Sequence, residues 1–228
     1  MEQITRRQLL GRGTALALGA APLAGRLVEA AWAAAGGIFD ELATGLRGDV
    51  VVAGASGYDQ ARVLYNTRFD SVKPRAVVFC ESLADVQKTV RWARKHKVRI
   101  VARSGGHSYG GYSTTSGVVV DVSRLDSVAL DAQLRAVVGG GARLIDVYDV
   151  LFQHGRTVPA GSCPSVGIAG LTQGGGIGLA ARKFGLTCDN LVEARSCWRA
   201  GRPSCATRVS TRICSGRFVA AAAATSGS

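Results

Sequence analysis

The sequence predicts an α+β fold on three observations. Short Val-rich runs recur between residues 76 and 138, one amphipathic stretch separates the first two of them, and turn residues join others as hairpins. Residues 76–80 (AVVFC) are apolar and of strand length. Ser82 then stands where a helix N-cap belongs, with Asp85 three residues on. Val86, Val90, Trp92 and Ala93 carry helical spacing up to Lys95-His96-Lys97, basic residues suited to a last turn. Residues 99–102 are a second strand running into a glycine loop, and 117–122 a third. Residues 127–130 and 134–138 flank the turn residues Asp131-Ala132-Gln133. After Gly139-Gly140-Gly141, the spacing of Leu144, Val147, Tyr148 and Leu151 predicts a helix ending near His154-Gly155. Ahead of all this, 39–46 is a short helical stretch. Residues 48–70, with Tyr58 to Arg62 and Tyr65-Asn66, are expected to be a loop leading in.

The N-terminus reads as an export signal. Residues 5–10 (TRRQLL) pair two arginines, 15–24 are small and apolar, and Ala31-Trp32-Ala33 or Ala33-Ala34-Ala35 offers a small-residue cleavage site. The apolar stretch is too short to cross a bilayer comfortably, so residues 1–35 are expected to be a twin-arginine signal rather than an anchor. The plainer alternative is an amphipathic N-terminal helix.

A net charge of +12 invites a nucleic-acid reading, but its distribution argues against one. Residues 195–228 hold six arginines and no acid; residues 1–33 hold four arginines against two glutamates; +4 is left for 34–194. That central segment has no basic stripe to neutralise phosphates. Of the six cysteines, Cys197, Cys205 and Cys214 fall in the basic tail. Cys80, Cys163 and Cys188 remain, an odd number without CxxC spacing, which supports neither a zinc site nor a disulfide framework.

Two loops carry the chemistry. In the first, Arg103-Ser104-Gly105-Gly106-His107-Ser108-Tyr109, adjacent glycines after a strand let backbone N–H groups approach a diphosphate, and Ser104, Ser108 and Tyr109 add hydroxyls. This is not GxGxxG opening a helix, so the Rossmann dinucleotide signature is absent. The alternative is a tight turn beside a core histidine. The second loop is denser in glycine than a turn needs: Gly161, Gly167, Gly170, Gly174, Gly175, Gly176 and Gly178, interleaved with Val166, Ile168, Leu171, Ile177 and Leu179. A flexible linker would be less apolar, and Gly174-Gly175-Gly176 could pack backbone against a ring or phosphate.

These residues resemble a known family. RSGGHSY (103–109), PAGSCPSVGIAGLTQGGGIG (159–178) and KFGLTCDNL (183–191) are similar in content and order to the PCMH-type FAD-binding domain of the vanillyl-alcohol oxidase type, and most closely to berberine-bridge-enzyme-like oxidases. The resemblance covers about residues 74–190. It implies a two-subdomain α/β architecture, the second subdomain incomplete here, in which the loops hold FAD through Arg103, Ser104, Gly105, Gly106, His107, Ser108, Tyr109, Cys163, Val166, Gly167, Gly170, Gly174, Gly175, Gly176 and Gly178. It implies covalent attachment of the flavin through His107, and in doubly linked members also through Cys163; the alternative for Cys163 is an ordinary buried free thiol. Cys188 is read as core packing. Relatives oxidise alcohols, sugars or secondary metabolites by hydride transfer to the flavin, with O₂ as the final oxidant. Members are about twice as long, with a substrate domain, and their catalytic base has no counterpart in this sequence, so no catalytic residue is named.

The domain reading is therefore an export signal (1–35), a lead-in segment (36–73), an incomplete FAD-binding domain (74–194) and an aberrant tail (195–228). The tail shows no helical or strand period. Shifted by one base, its codons allow a glycine-rich run of the family's kind, and we expect a frameshift near Arg195. On that reading the second sheet stops after Val192 and the chain is inactive. The rival function is a non-catalytic flavin- or nucleotide-binding module, without turnover.

Overall fold

The computed structural model describes residues 36–197, 203–207 and 219–226. The expected export signal therefore lies outside the described residues. The chain divides into two compact units, residues 1–41 and 42–228. The one described element that begins in the first is helix α1, Gly36–Ala43. Everything that positions the loops belongs to the second.

Its first sheet has four strands in the order β1-β2-β4-β3: β1 (Val50–Val52), β2 (Ala76–Phe79), β3 (Ile100–Arg103) and β4 (Val118–Asp121). β2, β4 and β3 run parallel, and β1 pairs antiparallel on the β2 edge with Val51 opposite Val77. Val118, Val119 and Val120 are fully buried, as are Ala76, Val77 and Val78. Strands covered on both faces read as continuous apolar runs, which is why these were legible. Helix α3 (Leu83–Lys95) crosses from β2 to β3, following a five-residue helix α2 (Tyr58–Arg62) earlier in the chain. The predicted cap of α3 is present: Ser82 Oγ accepts from Asp85 N–H at 3.1 Å. The Asp85 carboxylate instead accepts from Arg47 N–H (3.1 Å) and Glu81 N–H (3.0 Å), so it pins the entry to the helix from outside.

The second sheet has five strands in the order β5-β6-β9-β7-β8. β5 (Val128–Leu130) and β6 (Arg135–Gly139) form the expected hairpin. Asp131 organises its turn by accepting from Gln133 N–H and Arg135 N–H, both at 2.9 Å. Helix α4 (Leu144–Gln153) folds back on this sheet, and Leu144, Val147 and Leu151 join Val138, Val158 and Ile168 in one apolar cluster. Helices α5 (Ile168–Gln173) and α6 (Ala181–Phe184) follow. No helix among the described residues is long and apolar enough to cross a membrane.

Two expectations are corrected. Residues 48–70 are not a loop: they supply β1, α2 and a 3-10 turn at Thr67–Phe69. The second sheet does not stop at Val192. β7 runs Leu191–Cys197 and pairs antiparallel with β8 (Pro203–Thr207), and β9 (Val219–Ser226) lies between β6 and β7. Backbone partners on both sides outweigh the weak strand propensity of an alanine run.

Candidate functional site

β3 and β4 are parallel neighbours, so the chain leaving β3 must travel back the length of the sheet to start β4. No helix makes that return; residues 104–117 do, and the first glycine loop is its beginning. It sits at the C-terminal end of a parallel strand, where open α/β sheets place their ligands.

Arg103 and Asp121 end their strands directly opposite each other. Both are buried, at 5% and 3% exposure, and Arg103 Nε donates to Asp121 Oδ2 at 2.5 Å. Arg103 also donates from Nη2 to the Ala61 carbonyl (2.5 Å) and from Nη1 to the Arg62 carbonyl (3.4 Å). Those carbonyls end α2 and would otherwise lack partners. The remaining carboxylate oxygen accepts from Ser123 N–H at 2.8 Å. One guanidinium thus fastens the lead-in segment to the root of the glycine loop.

The two predicted loops meet backbone to backbone. A Cβ on Gly105 would strike Gly167 N and come within 2.8 Å of the Ser165 carbonyl oxygen; one on Gly167 would strike Ser104 Oγ and Gly105 N. Ser104 Oγ donates to the Gly140 carbonyl at 2.7 Å, so this hydroxyl holds the loop to the second sheet instead of facing a ligand. Beyond the contact, His107 Nε2 lies 3.0 Å from Ser165 Oγ, and the Tyr65 ring stacks on the imidazole with centroids 4.1 Å apart and planes 20° apart. Tyr65 N–H donates to the Gly106 carbonyl at 3.3 Å, which fixes the stack from the backbone side. Partial burial holds the His107 pKa below its ordinary value, which favours the uncharged ring.

The second loop is held by helix α4. Leu144 N–H donates to the Val166 carbonyl (3.0 Å) and Ile145 N–H to the Pro164 carbonyl (3.1 Å). The turn carrying Cys163 and Ser165 therefore satisfies the helix N-terminus, and Cys163 is half-buried within it.

A cleft of about 450 Å³ opens over this junction, lined by Arg103, Ser104, Gly105, Gly106, Ser165 and Tyr65 among others. Among the described residues, the backbone N–H groups of Gly105, Gly106 and His107 donate to no protein acceptor. Backbone donors grouped at a glycine turn suit an anion such as a diphosphate. The donor set and the open cleft fit FAD.

Comparison with known proteins decides the family. The profile of the FAD binding domain family matches residues 74–202, more than half of the chain. The chain belongs to the FAD-binding domain family. A Bacillus subtilis protein described as an uncharacterized FAD-linked oxidoreductase, YgaK, is 39% identical over 152 residues, which are 66% of this chain and 34% of that protein. The solved structure of the berberine-bridge-enzyme-like protein 1 of Physcomitrella patens superposes with a TM-score of 0.77 at 34% identity, covering 84% of this chain and 44% of that one. Glucooligosaccharide oxidase from Acremonium strictum, described with a 6-S-cysteinyl, 8α-N1-histidyl FAD, superposes with a TM-score of 0.75 at 25% identity, covering 83% and 42%. The fold is that of the PCMH-type, vanillyl-alcohol-oxidase-like domain. The chain spans about a third of the length of the curated relatives it matches.

Within this FAD-binding domain the predicted residues divide. Arg103, Ser104, Gly105, Gly106, His107 and Gly167 come together at the loop contact, with Cys163 and Val166 on the turn behind it. Ser108 Oγ accepts from Tyr112 N–H at 3.0 Å and so shapes its own loop, while Tyr109 is 91% exposed. Gly170 has open space around it, and a Cβ on Gly174 would make ordinary contact with the Leu171 and Gly170 carbonyls. The other glycines pack against protein: a Cβ on Gly176 would strike Thr187 Oγ1, and one on Gly178 the Ala160 carbonyl. Buried Thr187 donates from Oγ1 to the Pro159 carbonyl at 2.7 Å and closes this side. Gly175 and Gly176 are thus faced by Leu186 and Thr187 of the KFGLTCDNL segment, and Gly178 by Ala160 at the start of its own loop. Cys188 is half-buried, Sγ 3.8 Å from Asp189 Oδ1, and is not the core thiol expected. Cys80 is that thiol, fully buried, and burial pushes its pKa up to about 12. Sequence reasoning missed Tyr65 and Ser165 as site residues.

Proposed function

We propose that this chain is the flavin-holding part of an exported FAD-dependent oxidase, with His107 carrying the flavin covalently and Cys163 offering a second attachment. The observation that supports it is the ring-stacked His107 set beside the Gly105–Gly167 contact, where a diphosphate and its flavin can enter together. The relative with a doubly attached FAD, and (R)-6-hydroxynicotine oxidase of Paenarthrobacter nicotinovorans at 35% identity, support the oxidase reading. FAD, when bound, supplies a two-electron acceptor for an alcohol, a sugar or a secondary metabolite, with O₂ taking the electrons onward.

The chain's own residues bind and orient. Gly105, Gly106 and His107 present backbone donors to the diphosphate. Arg103 and Asp121 hold those donors still, and Ser165 and Tyr65 hold the imidazole. We assign no proton transfer from substrate to any described residue, and turnover is proposed to need more than these residues.

The test is acid precipitation of the chain after loading with FAD, followed by in-gel flavin fluorescence. Fluorescence that survives acid and disappears in His107→Ala is the expected result; Cys163→Ala is expected to keep the fluorescent band and alter only the flavin spectrum. Flavin that binds but washes out completely in acid would instead favour a binding module without covalent attachment. The export part of the proposal predicts that replacing Arg6 and Arg7 together by lysine retains the protein inside the cell, as read by fractionation. The proposed frameshift near Arg195 is tested by the nucleotide sequence across codons 185–228.

A further inference from the structure

Among the described residues two cations line the cleft, Arg103 and Arg143. Every nitrogen of the Arg103 guanidinium is already engaged by protein: Nε by Asp121, Nη1 by the Arg62 carbonyl and Nη2 by the Ala61 carbonyl. Arg143 is the opposite case. Its Nε donates to Asp146 Oδ2 at 3.0 Å, and among the described residues Nη1 and Nη2 have no acceptor. The two side chains are 58% and 43% exposed, so water screens the pair and it adds little to stability.

The backbone under Arg143 is fixed beside the loop contact. Arg143 pairs with Gly167 in an isolated antiparallel bridge. Leu144 N–H on the Val166 carbonyl (3.0 Å) and Ile168 N–H on the Ala142 carbonyl (2.9 Å) close it from either side. Gly167 is the residue that meets Gly105. The open guanidinium is therefore rooted one backbone pairing away from the grouped N–H donors. The other charges of the lining are Asp121, Asp126 and Asp146, and Arg103 already neutralises Asp121. A diphosphate entering this cleft meets two further carboxylates, and Arg143 is the group that offsets them.

We propose that Arg143 is the cationic partner of the cofactor diphosphate in this chain, with Nε held by Asp146 so that both Nη groups remain for phosphate oxygens. A guanidinium offers parallel N–H donors that match phosphate, which a backbone turn alone does not supply with charge. The inference rests on the reading of the cleft as an FAD site, and is independent of covalent attachment through His107 or Cys163.

The probes are ADP, which carries the diphosphate and cannot attach, and adenosine, which lacks it. Their dissociation constants from the native chain 1–228 are measured by calorimetry, and that of FAD from the rapid fluorescence quenching that precedes attachment. Arg143→Gln is expected to weaken ADP and FAD at least about tenfold, the loss of a charge-assisted hydrogen bond. It should also flatten the salt dependence of both, because a screened attraction has gone. Adenosine is expected to bind native chain and variant alike, and the urea midpoint to stay where it was. Arg143→Lys keeps the charge without the fork and should recover part of the affinity. ADP and FAD affinities within about twofold of native in Arg143→Gln overturn the proposal. Equal losses for ADP and adenosine overturn it too, since Arg143 would then act on the fold. Should Arg143→Gln misfold, native chain and Arg143→Lys decide, and affinities indifferent to salt in both count against it. FAD binding that ignores Arg143→Gln sinks this assignment while the flavin reading stands. ADP binding that depends on Arg143, with no acid-stable flavin after loading, sinks covalent attachment alone. A native chain that takes up neither ADP nor FAD sinks both.

Discussion

Asp121→Ala is expected to lower the unfolding free energy by about 3–5 kcal/mol, a large share of a domain's whole stability. The reason is not the strength of the ion pair but what remains without it. Arg103, 5% exposed at the end of β3, would keep its charge with no carboxylate to meet it. Urea unfolding of the chain measures the loss. Arg103→Met combined with Asp121→Leu is expected to recover part of it, since exchanging both members for apolar side chains removes the unpaired charge. The double variant still releases the Ala61 and Arg62 carbonyls that Arg103 holds. It should therefore be folded yet impaired in flavin attachment, and that combination separates stability from positioning. A double variant as unstable as Asp121→Ala alone would show that the ties to α2 matter more than the buried charge.

Gly167→Ala has the second large effect. A methyl group there meets the Gly105 amide and Ser104, backbone and short side chain that cannot swing aside as a lysine tip would. The loops must part, at a cost of about 1–3 kcal/mol for forced overpacking. The cleft between them changes shape in the same step, so the affinity for FAD before attachment is expected to fall at least about tenfold, the equivalent of 1.4 kcal/mol. Gly170→Ala is the matched control, because nothing lies within 4 Å of the added carbon. It should change the melting temperature and FAD affinity little. If Gly167→Ala behaves like Gly170→Ala, the loop contact is not what shapes the cleft.

How much of this could be read in advance depended on whether the information was local. The valine runs of β2 and β4 announced themselves because both faces are covered, and Ser82 announced α3 because a cap is written within four residues. The two loops were visible as glycine density, yet which glycines do what was not. Gly105 and Gly167 face each other across the site, while Gly176 and Gly178 only admit Thr187 and the Ala160 carbonyl. That distinction lies in tertiary contacts, which leave no mark on the local pattern. Tyr65 stands in the sequence as one residue of a lead-in loop, since a ring that stacks on a residue far along the chain leaves no periodic trace. β1 escaped notice at three residues, too short to show alternation. β9 escaped because an alanine-rich run favours helix on propensity alone, and only the open edges of β6 and β7 make it a strand.

β1 has a practical bearing on anyone who trims this protein. The family match begins at Pro74, and a chain shortened to that boundary would look complete. It would also uncover the backbone of β2, a fully buried Ala-Val-Val stretch that β1 now borders. A bare apolar strand of that kind recruits a copy of itself from the next molecule. The short strand Val50–Val52 is in this sense a guard against self-association, and solubility should follow its presence more closely than any property of the flavin loops.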